Sequence, residues 1–135
     1  MVSKILMLFT MSLSVLMAGE DKLFFGPCSS FSESMKFDCY RDYEEVAQFL
    51  TDVHAQHPNH TRLESIGKSY QGRDLWVLTV TNFSTGAPED KPAIWVDGGV
   101  DSDEVVSTEV ALGLIHRLLT NDDPRIKQLM KTRTF

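Results

Sequence analysis

Residues 91–104, KPAIWVDGGVDSDE, decide how the chain is read. Ala93, Ile94, Trp95 and Val96 are a short unbroken apolar run, the pattern of a strand buried on both faces. Gly98 and Gly99 then let the backbone turn sharply, and apolar helical spacing resumes at Val105. Between the turn and the helix lie Asp101, Asp103 and Glu104, so Asp101 and Glu104 project three residues apart from a strand end and a helix start. Two oxygen ligands placed in this way converge on one cation. The plainer use of the same residues is a solvated acidic cap, since a carboxylate near a helix start gains about 0.3–1 kcal/mol from the helix dipole. An EF-hand loop fails because the glycine and the later glutamate are missing at the required spacing.

Upstream of this stretch, Tyr43, Val46, Ala47, Leu50 and Val53 recur at helical spacing behind Asp42, and Pro58 ends the helix. Residues 63–69 and 74–81 read as two strands joined around Gln71 and Gly72. In the second, Leu75, Val77 and Thr79 share one face and Trp76, Leu78 and Val80 the other, which predicts a strand inside a sheet with layers on each side. Residues 82–91 are a loop by composition. Downstream, residues 105–119 form a helix led by Val106, Val110, Leu114, Ile115 and Leu118, apolar around most of its circumference and in need of cover. Asp123 and Pro124 start a further helix with Ile126, Leu129 and Met130 as its buried face, and residues 132–135 begin a strand. Helix, hairpin, strand, helix, helix, strand predicts an α/β fold, a partial α/β/α sandwich with a mixed β-sheet.

The N-terminal residues 1–19 carry one positive charge, Lys4, a short apolar stretch and small residues at Ala18 and Gly19, the form of a secretory signal peptide. That stretch is too short for a membrane span, which takes about 20 apolar residues; the alternative is a retained N-terminal anchor. A secreted or periplasmic location follows, with no membrane association once the signal is removed. Residues 20–39 read as a polar linker holding Cys28 and Cys39, which in an exported chain are expected to pair and to contribute about 2–3 kcal/mol. Free thiols or a metal pair compete, but ten intervening residues match no common zinc knuckle. Asn59-His60-Thr61 and Asn82-Phe83-Ser84 are acceptor tripeptides for N-linked sugar in a eukaryotic secretory pathway. The net charge of −6 becomes −7 without Lys4, and the basic residues are dispersed among a majority of acids, which argues against nucleic acid as a partner.

From about Tyr40 to Phe135 the chain resembles the zinc metallocarboxypeptidases, the carboxypeptidase A-like peptidases. The segments that carry the resemblance are YEEVAQFLTDVHAQHP, LESIGKSYQGRDLWVLTVT, KPAIWVDGGVDSDE, STEVALGLIHRLL and DPRIKQLMKTRTF, in the family's order. The resemblance implies a truncated zinc carboxypeptidase-like domain over residues 40–135, zinc as the cofactor, and peptide or protein C-termini as substrate. The family's metal motif is H-x-x-E; here Glu104 matches the glutamate and Asp101 stands where the histidine is found. An aspartate reaches less far than a histidine and makes the pair harder and more anionic, which moves its preference away from zinc.

The family's third zinc ligand, its substrate-binding arginines and its water-activating glutamate belong to a later half of the domain with no counterpart in these residues. No catalytic residue is therefore assigned, and the chain alone is expected to be inactive; a noncatalytic binding module with a degenerate metal site is the alternative. His116 cannot supply the missing ligand, because it lies about 18 Å along the helix from Glu104. His54, His57 and His60 are expected on a solvated surface. Asp97 fits either a role orienting a ligand or simple Asp-Gly turn chemistry. Half a domain of this kind is expected to be marginally stable.

Overall fold

Asp42 and Glu45 start the first helix by reciprocal capping. The Asp42 carboxylate accepts from the Glu45 backbone N–H at 2.9 Å, and the Glu45 carboxylate accepts from the Asp42 N–H at 3.1 Å. The computed structural model, which describes residues 28–32, 34–101 and 103–135, places helix α1 at Tyr43–Gln56, ahead of Pro58. The signal peptide assigned to residues 1–19, and residues 20–27 of the linker, lie outside the described residues. The buried face of α1 is Phe49, Leu50 and Val53.

Strands β1 (Thr61–Lys68) and β2 (Asp74–Val80) form an antiparallel hairpin running from Thr61 opposite Val80 to Lys68 opposite Asp74. Gly72, at φ 78°, makes the turn with a backbone conformation that suits glycine. At the mouth of the hairpin Asp74 accepts from Lys68 Nζ and the Ser65 hydroxyl, both at 2.7 Å. The Lys68 hydrogen bond and then that of Ser65 hold the Asp74 carboxyl below the usual aspartate range.

On the other edge of β2, Val80 and Phe135 exchange backbone hydrogen bonds at 2.8 and 3.0 Å. Thr134 in turn forms a parallel bridge to Ala93, with Ile94 N–H donating to the Thr134 carbonyl at 2.9 Å and Thr134 N–H to the Pro92 carbonyl at 3.1 Å. The sheet itself is the two-stranded antiparallel hairpin, and the parallel 93–134 pairing is an isolated bridge beside it rather than a strand of the expected mixed sheet. This differs from the sequence expectation: residues 132–135 contribute a bridge at Thr134 rather than a strand, and the face of β2 that carries Leu75 lacks the expected covering layer. Residues 93–96 make one bridge rather than a strand buried on both faces, and Ile94, Trp95 and Val96 are 50%, 71% and 47% exposed. An apolar run becomes a buried strand only where neighbours cover it, and the described residues supply a partner at Ala93 alone.

Helices α2 (Val105–Thr120) and α3 (Pro124–Thr132) complete the fold. Asp123 caps α3 by accepting from the Arg125 N–H at 2.8 Å. One apolar cluster joins Phe31, Met35, Phe49, Leu50, Val53 and Leu112; a second joins Val80, Leu118, Ile126 and Met130. From β2 the residues reaching these clusters are Trp76, Leu78 and Val80, alternate positions on one face, while Leu75 on the other is 47% exposed. The helical layer on the first face is thus in place. A groove of about 380 Å³ remains between β2, the 93–96 segment and α2. It is lined in part by Trp76, whose indole N–H is the single buried side-chain polar atom without a partner among the described residues. Leu129 was expected in the core but is 42% exposed. Ile126 and Met130, four residues apart, share the inner face of α3, and Leu129 is rotated about 100° from Met130.

The segment ahead of α1 is more than a linker. Cys28 and Cys39 form a disulfide, and between them Phe31 and Met35 enter the core. Phe31 packs edge-on against Phe49, His57 and His116. Next to this loop sits a buried ion pair. Arg41 donates its backbone N–H to Glu109 Oε1 at 2.8 Å, a guanidinium nitrogen to Glu109 Oε2, and the other to the Ser29 carbonyl at 2.9 Å, while its guanidinium lies over the rings of Phe37 and Phe49.

Glu109→Ala, which strands a buried cation, lowers the unfolding free energy by about 3–5 kcal/mol; in the same denaturant titrations Arg41→Met combined with Glu109→Leu loses much less. Because the Asp74 carboxyl titrates lower in the folded chain than in the unfolded one, its contribution is present above the ordinary aspartate pKa and is lost as pH falls below about 4. Asp74→Asn therefore flattens the acid limb of a stability–pH curve and leaves the slope near neutrality unchanged.

Candidate metal site

Two glycines bring the chain from Ala93 to the start of α2. A Cβ on Gly98 would sit 2.8 Å from the Thr108 Cα and 3.0 Å from the Ser107 carbonyl, so only glycine lets the loop approach the helix backbone this closely. Gly99 has φ +73°, and a Cβ there would meet the Thr108 hydroxyl at 2.9 Å. Ser107 ties the turn together. Its hydroxyl accepts from the Gly99 N–H at 2.8 Å and donates to the Glu104 carbonyl at 2.7 Å. Glu104 N–H then donates to the Asp101 carbonyl at 3.0 Å. Asp101 and Glu104 thereby occupy the two ends of one hydrogen-bonded turn.

Glu104 holds the N-cap position of α2, yet its side chain makes no capping hydrogen bond, and the first turn of α2 contains no acidic residue. A solvated acidic cap, acting through the helix dipole and not through a hydrogen bond, is compatible with this arrangement. Asp97, Asp101, Asp103 and Glu104 are all exposed, and their carboxylates make no hydrogen bond or ion pair with the described residues.

His54, His57 and His116 are engaged elsewhere. His116 bonds to the Ser32 carbonyl at 3.0 Å and packs against Phe31 and Phe37. His54 Nδ1 lies 3.1 Å from the Thr61 hydroxyl, and His57 stacks edge-on against Phe31. The expectation of a solvated histidine cluster is corrected accordingly: His54, His57 and His60 are half-buried, and two of them brace the corner between α1 and β1. Beside α2, a cleft of about 590 Å³ opens between residues 37–40 and Val106, Glu109, Val110 and Gly113. Ser107 escaped the sequence reading, although a hydroxyl three residues after a turn acid is a recognisable signal for bridging a turn to a helix.

Residues 46–135 match the pattern that defines the zinc carboxypeptidases. The chain belongs to this family. A zinc carboxypeptidase of Saccharothrix mutabilis subsp. capreolus is 32% identical over 96 residues, covering 70% of this chain and 22% of that protein. Carboxypeptidase A2 of Rattus norvegicus is 33% identical over 101 residues, covering 73% of this chain and 23% of that protein. The chain thus spans less than a quarter of the length of either relative. In structure it is similar to the carboxypeptidase A from Helicoverpa armigera, with a TM-score of 0.66 at 24% identity, over 78% of this chain and 25% of that one. The shared fold is α/β. No described helix is long and apolar enough to cross a membrane.

Zinc is the metal of this family, but the residues at hand do not fit it alone. A zinc site takes at least three protein ligands, and the described residues bring no three His, Cys, Asp or Glu side chains together around one point. The Asp101–Glu104 turn offers two carboxylate ligands at most.

The close approach of Gly98 gives a test of the turn. Gly98→Ala pushes the loop away from Thr108 and costs about 1–3 kcal/mol, whereas Asp103→Ala, at an exposed position without partners, shifts the unfolding midpoint little. Amide exchange at Gly99 rises in the first variant and stays unchanged in the second.

Proposed function

We propose that this chain forms the N-terminal, ligand-bearing part of a secreted zinc carboxypeptidase that acts at the C-termini of peptides, and that these residues alone have no peptidase activity. One observation carries the reading: the Gly98–Gly99 turn, locked to α2 through Ser107, sets Asp101 and Glu104 on a single turn with their carboxylates free of internal partners. Those are the positions that match the metal motif of the family. The signal peptide at residues 1–19 and the domain from residue 40 onward belong to the same proposal.

With two donors and a third missing, cation binding is weak. Calorimetric titration of the chain with zinc gives a Kd no tighter than the micromolar range, roughly −8 kcal/mol. Glu104→Ala abolishes the signal, and Asp101→His strengthens it by restoring an imidazole donor. Unchanged zinc binding in Asp101→His would mean that position 101 does not face the ion. Release of the C-terminal residue from free peptides, but not from C-terminally blocked ones, by the purified 135-residue chain would overturn the inactive reading. The aspartate at position 101 also favours a second reading, a noncatalytic binding module; it is supported if peptides bind with equal affinity to the chain and to Glu104→Ala.

A further inference from the structure

We propose that Asn59 is a site of N-linked glycosylation. The proposal rests on the secreted reading given above and adds a modification to it. Asn59 begins the tripeptide Asn59-His60-Thr61 at the corner between α1 and β1. The structure divides the tripeptide into an outward asparagine and an inward threonine. Asn59 is exposed, and its side-chain amide makes no hydrogen bond with the described residues. Its backbone is nevertheless held, since its carbonyl accepts from the Phe83 N–H at 3.4 Å and the His60 N–H closes the turn onto the His57 carbonyl at 3.0 Å. Thr61 is 2% exposed and donates its hydroxyl to the His57 carbonyl at 2.8 Å. A sugar on Asn59 Nδ2 therefore projects into solvent from a fixed corner and displaces no internal contact.

The second tripeptide, Asn82-Phe83-Ser84, serves as a contrast. Asn82 is half-buried, and its Oδ1 accepts from both the Ser84 N–H at 3.0 Å and the Ser84 hydroxyl at 2.6 Å. Its carbonyl also accepts from Lys91 Nζ at 2.7 Å, and the residue lines a groove with Leu118 and Met130. That asparagine is committed to the fold.

The donor is an oligosaccharide linked to a lipid pyrophosphate. A bond forms between Asn59 Nδ2 and the anomeric carbon of the first sugar, the bond from that carbon to the pyrophosphate oxygen breaks, the amide nitrogen gives up one proton, and the lipid pyrophosphate leaves. Nothing is oxidised or reduced.

The test is expression of the full chain in a eukaryotic host, once as it stands and once behind a leader of established function, with a C-terminal tag carrying its own acceptor tripeptide to report entry into the secretory lumen. Trypsin separates the two native sites, since residues 42–62 and 74–117 fall in different peptides. The expected result is a glycopeptide at residues 42–62 that peptide-N-glycosidase converts to the aspartate form, and that is absent from Asn59→Gln. A glycosylated tag with Asn59 bare, or with sugar at Asn82 only, overturns the proposal. Modification of Asn59 behind the established leader but not with the natural N-terminus upholds the site and counts against the secreted reading alone.

Discussion

A carboxylate buried among apolar side chains is tolerable only when it is paired, and Glu109 of α2 is buried against Arg41. That requirement fixes much else. Arg41 sits immediately ahead of the cap of α1, contacts the disulfide loop through the Ser29 carbonyl, and lies over two aromatic rings. A single charge pair therefore sets the rotation of α2 relative to α1 and to the N-terminal loop. Once α2 is oriented, Ser107, two residues earlier on the same helix, is placed to catch the glycine turn, and the Asp101–Glu104 turn takes its position from there.

The features that were legible in the sequence are those decided within a few residues. Asp42, Asp123 with Pro124, and Gln71 with Gly72 each carry their structural consequence locally, and all three signals correspond to observed caps or turns. The two strands of the hairpin were legible from their composition and the turn between them, but the register shift between Ser65 and Lys68 was not. Features decided at long range were not legible. Arg41 and Glu109 are 68 residues apart, and no local pattern announces that they meet. Phe31 and Met35 read as parts of a polar segment because Ser and Glu surround them, but a disulfide and a facing Phe49 turn them inward.

The 93–96 segment shows why an apolar run is an incomplete signal. Ile94, Trp95 and Val96 record what the strand is suited to contact, while burial depends on whether those neighbours exist in the folded chain. The site divides in the same way. The glycines, Asp101 and Glu104 announced a turn with two carboxylates, and this turn is present. The count of donors around one point depends on the whole fold, and among the described residues it stops short of a zinc set.

The outer side of residues 93–96 has a consequence for how the polypeptide behaves during and after synthesis. An edge carrying Ile94, Trp95 and Val96, with no charged gatekeeper among the three, offers exposed apolar side chains to any other chain in an extended conformation. Its persistence in solution is then governed by concentration, because self-association along that edge is a second-order process. Dilution, or early capture by a chaperone, favours the monomer.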